Sequence, residues 1–248
     1  MSFEVMPVLD AMLALYDQPR DQARFQRYLQ LLGGGNQADL VVPVMHFNPM
    51  AKEPLVTRLR ELQQLGAEDI AAEALQEAGL WRGTVPAEPH FRVALNLADD
   101  VAGGWTNRYT TDFASKFELK ALVKRGFCTP VFWASEEYSP ALVRQRVLAQ
   151  VWRTRYYASH VPPRTVAEHL AQEVFVAQRV LKSPGLVETD FEGILARYEA
   201  VKAAIDMPTL LTFFYGDAAT RQLGHAEWEH WPVESGFELA RLLAAGLR

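Results

Sequence analysis

Apolar side chains recur at helical spacing through residues 7–16 and 21–32, which predicts two helices near the start of the chain. Gly33, Gly34 and Gly35 follow the second one and end it, as glycine does at a helix C-terminus. Residues 39–47 (DLVVPVMHF) are rich in valine. Pro43 removes a backbone donor in their middle, so an edge strand or an extended loop is expected there. Two more helices are expected over residues 53–66 and 68–78, separated at Gly66.

The pattern changes after Pro86. Phe91, Val93, Leu95 and Leu97 alternate with Arg92, Ala94, Asn96 and Ala98, the period of a strand with one buried face. Residues 99–104 (DDVAGG) have turn chemistry, and residues 105–111 are expected to return as a hairpin partner. A helix over residues 113–124 and a strand over residues 127–134 (FCTPVFWA), interrupted by Pro130, come next. Ser139 caps and Pro140 opens a long helix reaching about Tyr157. Pro162 and Pro163 break the chain, and Thr165 with Glu168 forms a capping box for a helix through Leu181. A helix over residues 190–205, a strand over residues 209–215 (TLLTFFY) and a closing helix over residues 238–247 complete the reading.

Helices and strands do not alternate strictly. The expected class is therefore α+β, or an irregular α/β fold: helix-rich, with a small mixed or antiparallel sheet of about four to five strands. The 248 residues are read as a single globular domain, residues 1–248, with a helical N-terminal subregion over residues 1–80. A boundary near residues 80–88 is the alternative.

Composition narrows the class. A hydrophobic share of 49% and a charged share of 22% give an ordinary globular chain and exclude whole-chain disorder. The first residues lack the basic stretch and unbroken apolar run of a secretory signal, and no window approaches the roughly 20 apolar residues of a membrane span. Cys128 is the only cysteine, so an intrachain disulfide is excluded and a cytoplasmic location is expected. Net charge is −5, yet residues 114–165 carry nine bases against three acids. That basic middle suits an anionic small molecule, or an acidic face of this fold or of a second copy.

The chemistry-bearing motifs with strong signatures are missing: no phosphate loop, no H-E-x-x-H and no G-x-S-x-G. Gly33, Gly35 and Ala38 match G-x-G-x-x-A, but a helix precedes them where that fingerprint needs a strand. Three polar clusters remain. The densest is ADDVAGGWTNRYTTDF, which supplies Asp99, Asp100, Trp105, Asn107, Arg108, Tyr109 and Asp112. Carboxylates at a strand end can serve as acid or base or hold a hard cation, and Arg108 can grip an anion through two donors. The same residues also suit an exposed turn.

The second cluster, GHAEWEHWP, sets His225 four residues before Glu229 and Glu227 three before His230. Both spacings share a face if the segment is helical, making these four the candidate metal ligands, although the metal and any cofactor are unknown. The third, VWRTRYYASH, holds Arg153, Arg155, Tyr156, Tyr157 and His160. Basic and aromatic residues interleave as in nucleic-acid binders, but the acidic whole makes nucleic acid an unlikely partner.

Two functions follow. In the first, the chain is an enzyme or a small-molecule-binding protein for an anionic ligand. Asp99, Asp100, Tyr109 and His160 do the chemistry, and Trp105, Asn107, Arg108, Asp112, Arg153 and Arg155 bind the ligand. In the second, it is a non-catalytic assembly subunit that forms a homodimer or a hetero-complex through its oppositely charged regions.

Overall fold

The computed structural model describes residues 1–34, 39–51, 53–81, 88–101, 106–180, 191–228 and 230–246. The chain divides into two compact units, residues 1–154 and 155–248. Among the described residues no helix is long and apolar enough to cross a membrane.

The first unit begins with β1 (Ser2–Val5), followed by α1 (Leu9–Tyr16), α2 (Gln22–Gly33), α3 (Leu55–Gln64) and α4 (Ala67–Glu77). The central strand comes in two pieces, β2 (His90–Val93) and β3 (Asn96–Ala98). Then come α5 (Arg108–Phe117), α6 (Lys120–Lys124), β4 (Phe127–Cys128), β5 (Val131–Trp133) and α7 (Pro140–Ser159), whose last residues pass into the second unit. Every strand pair is parallel: β1 with β2, β2 with β4, and β3 with β5. The expected mixed or antiparallel sheet is therefore overturned, while the helix-rich class with a small sheet stands.

Among the described residues the strands form a three-stranded sheet, β1-β2-β4, and a two-stranded sheet, β3-β5, instead of one sheet of four to five strands, and backbone hydrogen bonds link the two. The Ala94 and Asn96 amides donate to the Cys128 and Pro130 carbonyls at 3.0 and 2.9 Å. Pro130 lies on the strand at the edge of the sheet, where a missing donor costs no ladder bond. All three residues of β3 and of β5 are buried, so these strands are covered on both faces, as parallel strands are. The alternation at residues 91–98 predicted one buried face only.

Two expected strands are helices. Of the expected hairpin partner at 105–111, the described residues 106–111 do not form a strand: α5 starts at Arg108 because the Asn107 side chain accepts the Thr110 amide at 3.1 Å and caps it. Residues 39–47 form bends and turns, the extended-loop alternative.

The second unit contains α8 (Val166–Val180), α9 (Phe191–Val201), α10 (Met207–Tyr215), α11 (Asp217–Gln222) and α12 (Ser235–Ala244). The expected strand at residues 209–215 is α10, capped by Asp206, whose carboxylate accepts the Thr209 amide at 2.9 Å. Its run of buried residues, Leu210 through Tyr215, has no polar stripe because the helix is enclosed nearly all round. The capping box of α8 forms as expected: Thr165 Oγ1 accepts the Glu168 amide at 3.2 Å, and Glu168 accepts the Thr165 amide at 2.9 Å. Helix α12 packs on α8, α9 and α10, and α10 packs on α11. Gly236 of α12 meets Phe213 and Phe214 so closely that a Cβ there would sit 2.7 Å from a Phe214 ring carbon.

Candidate functional site

Parallel strands all end on one edge of their sheet, and the loops leaving that edge carry the polar side chains of the first unit. After β3 come Asp99 and Asp100, and after β5 come Ser135 and Glu136. The register sets Ala98 against Trp133, so Asp100 and Ser135 meet although 35 positions separate them.

Asp100 bridges the two strand ends. Its Oδ1 accepts the Ser135 amide at 2.9 Å, and its Oδ2 accepts the Ser135 hydroxyl at 2.6 Å and an Arg108 Nη1 donor. That side chain is only 4% exposed. Arg108 also donates to Ser135 Oγ at 2.9 Å, stands 3.5 Å from Glu136, and lies over the Trp133 ring at 5.1 Å. Arg146 of α7 donates to both oxygens of Glu136, at 2.9 Å to the Oε1 that Arg108 approaches, and to the Val131 carbonyl at 3.1 Å. Acid and base thus alternate through Asp100, Arg108, Glu136 and Arg146, which makes this edge rigid and close to neutral. Asp100 and Arg108 are therefore structural ties as well as candidate site residues. Asp100→Ala leaves the Ser135 amide without its acceptor and Arg108 without one of its partners, and should cost about 2 kcal/mol in urea unfolding. Unchanged stability would remove Asp100 from this structural role.

Asp99 adds one negative charge beside this chain. It is 2% exposed, its Oδ1 accepts the Val101 amide at 3.1 Å, and its carbonyl accepts the Thr106 hydroxyl. Tyr16 of α1 shares its surroundings. Burial pushes the Tyr16 phenol well above its ordinary range; Arg24 opposes that shift, and Asp99 and Glu53 add to it. The Tyr16 hydroxyl donates to the Asn48 carbonyl at 2.7 Å.

Two helices start from strands on this edge with different outcomes. The first amides of α1 are filled from within, because Glu68 accepts Val8 and Leu9 at 2.6 and 3.0 Å. Burial, the largest influence on Glu68, raises its carboxyl above the usual range. Helix α5 begins with Arg108 itself, whose side chain remains 44% exposed.

The other expected site residues fall in several places. Asn107 is the cap of α5, Tyr109 is half-buried in its first turn, and Asp112 pairs with Lys116 one turn on. Trp105 lies outside the described residues. Arg153 is buried on α7. Nearby Cys128 is 1% exposed, and burial pushes its thiol up to about 12, so it behaves as a small apolar side chain. Sequence reasoning missed Tyr16, Ser135 and Arg146. Glu136 was not singled out either.

Arg155 and His160 belong to the second unit. His160 is exposed and stacks on Tyr156 with ring centres 4.1 Å apart. Its Nδ1 lies 2.9 Å from the Tyr156 carbonyl, so it finishes α7. Burial lowers the Arg179 pKa, with Arg155 adding to that shift, and the Arg179 guanidinium lies over the Phe175 ring at 3.4 Å.

The expected metal ligands do not sit on one helix. Residues 223–228 are not helical, His225 and His230 are exposed, and Glu227 is held by Arg221 through two bonds of 2.8 Å. The Arg221 hydrogen bond is the main reason the Glu227 carboxyl lies below its usual range. Glu229 lies outside the described residues. Among the described residues no group of three histidine, cysteine or acidic side chains is placed to hold a metal.

Compared with known proteins, the chain matches no family model, and no curated protein or solved structure is significantly similar to it.

Proposed function

We propose that the chain is an enzyme or a small-molecule-binding protein that takes an anionic ligand at the carboxyl edge of the first unit's sheet. The observation that carries this reading is the pairing of Asp100, a carboxylate with a 4% exposed side chain just past the end of β3, with Arg108, a half-exposed guanidinium at the start of α5. Ligands of open parallel sheets collect at this edge, and the first turn of a helix favours negative charge. Arg108 is already oriented by Asp100, Ser135 and Trp133, so it meets an anion at little entropic cost. Asp99 is the residue for acid–base work, or for holding a hard cation between the protein and the anion.

Calorimetric titration of the whole chain with inorganic phosphate, pyrophosphate and citrate, each with and without magnesium, tests the reading. At least one anion should bind. Arg108→Gln should weaken it about tenfold or more, and Arg108→Lys less so, because lysine keeps the charge but not the fork. Asp99→Asn keeps an oxygen for the Val101 amide and so spares the fold, and it should abolish any magnesium dependence. If no anion binds, or if Arg108→Gln binds it equally well, the reading fails.

A further inference from the structure

A second place on the molecule has the build of a binding site. The second unit carries a depression of about 570 Å³ lined by Asp217, Arg221, Glu227, His230, Trp231 and Val233, among others. Small-molecule sites span roughly 300–1,000 Å³.

The loop that forms its rim is held at many points. The Asp217 carboxylate accepts the Trp228 and Trp231 amides at 2.9 and 2.7 Å. The Asp217 amide returns a bond to the Trp231 carbonyl at 3.2 Å. The Trp231 indole donates to the Phe213 carbonyl at 3.1 Å, and Ser235 Oγ to the Pro232 carbonyl at 2.6 Å. This frame holds two non-glycine residues in the left-handed region, His230 at φ 66° and Glu234 at φ 61°. Backbone conformations of that kind persist where the surroundings over-determine them, and they concentrate at ligand sites.

With Asp217 committed to the backbone, three polar side chains are left to meet a ligand. Glu227 takes Nε and Nη2 of Arg221, and Nη1 of Arg221 meets no acceptor among the described residues. The Arg221 side chain is 67% exposed and His230 is exposed. Val233, 61% exposed, supplies an apolar wall beside Trp231 and Pro232. One fixed cation, one fixed anion, an imidazole and an apolar wall complement a molecule carrying both charges and an apolar group.

We propose that this depression binds a free α-amino acid with an apolar side chain. Its carboxylate bonds to the open Nη1 edge of Arg221 and to His230, its ammonium to Glu227, and its side chain rests on Val233. The site is separate from the anion site proposed above, and its test does not depend on that one.

Calorimetry on the full chain with leucine, N-acetyl-leucine and leucinamide reads it directly. Leucine should bind, and each blocked derivative should bind about tenfold or more weakly, since each leaves Arg221 or Glu227 without its charged partner in the ligand. Arg221→Met and Glu227→Gln are surface changes that leave the Asp217 frame intact. The first should abolish discrimination against leucinamide, the second discrimination against N-acetyl-leucine. No leucine binding at about 10 mM, equal binding of all three compounds, or discrimination that survives both substitutions would each overturn the proposal; 10 mM corresponds to only about 3 kcal/mol of affinity.

Discussion

Gly216→Ala should be among the most damaging single substitutions in the second unit. Gly216 sits between α10 and α11 at φ 80° and ψ 177°, a region essentially reserved for glycine. A Cβ there would lie 2.6 Å from the Pro232 carbonyl oxygen, 2.8 Å from its carbon and 2.9 Å from the Val233 nitrogen. All three are backbone atoms, so no side chain can swing aside. They belong to the loop that the neighbouring Asp217 ties down through Trp228 and Trp231. Either the loop is expelled and those bonds are lost, or the backbone of Gly216 changes and the Thr212 carbonyl loses the 2.8 Å bond it now receives. Backbone strain of about 1–3 kcal/mol and overpacking of similar size put the cost near 4 kcal/mol. Gly224 is the control. It has φ 73°, but a Cβ there meets nothing within 4 Å, so Gly224→Ala should cost only about 1–2 kcal/mol. Urea unfolding of the two variants decides the matter, and equal losses would show that the contact with Pro232 carries no weight. Expulsion of the loop would also abolish leucine binding, because Glu227, His230 and Val233 lie on that loop.

How much of this was legible in the sequence depended on range. Helix starts with a side-chain cap were readable, because Thr165 and Glu168, or Ser139 and Pro140, act within one turn. The strand at residues 91–98 was readable from its alternation. Its partners were not, since β1 and β4 lie far off in sequence and parallel pairing leaves no turn signature between them. The turn-like DDVAGG run suggested a hairpin, yet the local signal that won was Asn107, which starts a helix. Residues 209–215 failed for a different reason. A helix buried nearly all round shows no period, and its threonine and phenylalanines mimic a strand, while the deciding signals, Asp206 and Pro208, stand just ahead of the run. The candidate site divides along the same line. Asp99, Asp100 and Arg108 could be grouped because they lie within ten residues of sequence. Ser135, Glu136 and Arg146 could not, because only the pairing of β3 with β5 brings them to the same edge. The pairing also changes what the grouped residues mean. Asp100 looked like a free catalytic carboxylate and Arg108 like a free ligand-binding group, and the structure commits much of their hydrogen-bonding capacity to each other, Ser135 and Glu136.

Acid should loosen the second unit through one histidine. His169 lies on the buried face of α8 and is 4% exposed. Burial lowers its pKa from 6.5 to about 4, against the opposing pull of Glu173 and Glu168. In the unfolded chain the same imidazole keeps its ordinary value. Between those two pKa values the unfolded form binds a proton that the folded form refuses, so falling pH favours unfolding. The stabilisation is whole above pH 6.5 and is lost progressively as the pH drops towards 4. The shift corresponds to roughly 3 kcal/mol. Carboxylates with lowered pKa, such as Asp206 and Glu227, also lose stabilisation in acid, but at lower pH and equally in a histidine variant. His169→Gln removes the titrating group and keeps a polar side chain of similar reach. Amide hydrogen exchange of α8 and α12, which pack together, should show opening free energies in the parent chain falling by roughly 2.5 kcal/mol more than in the variant between pH 7 and pH 4.5. Parallel pH profiles would mean that His169 accepts its proton without opening the fold. In that case its neighbours on α8, Glu173 first among them, would have to stabilise the imidazolium in place.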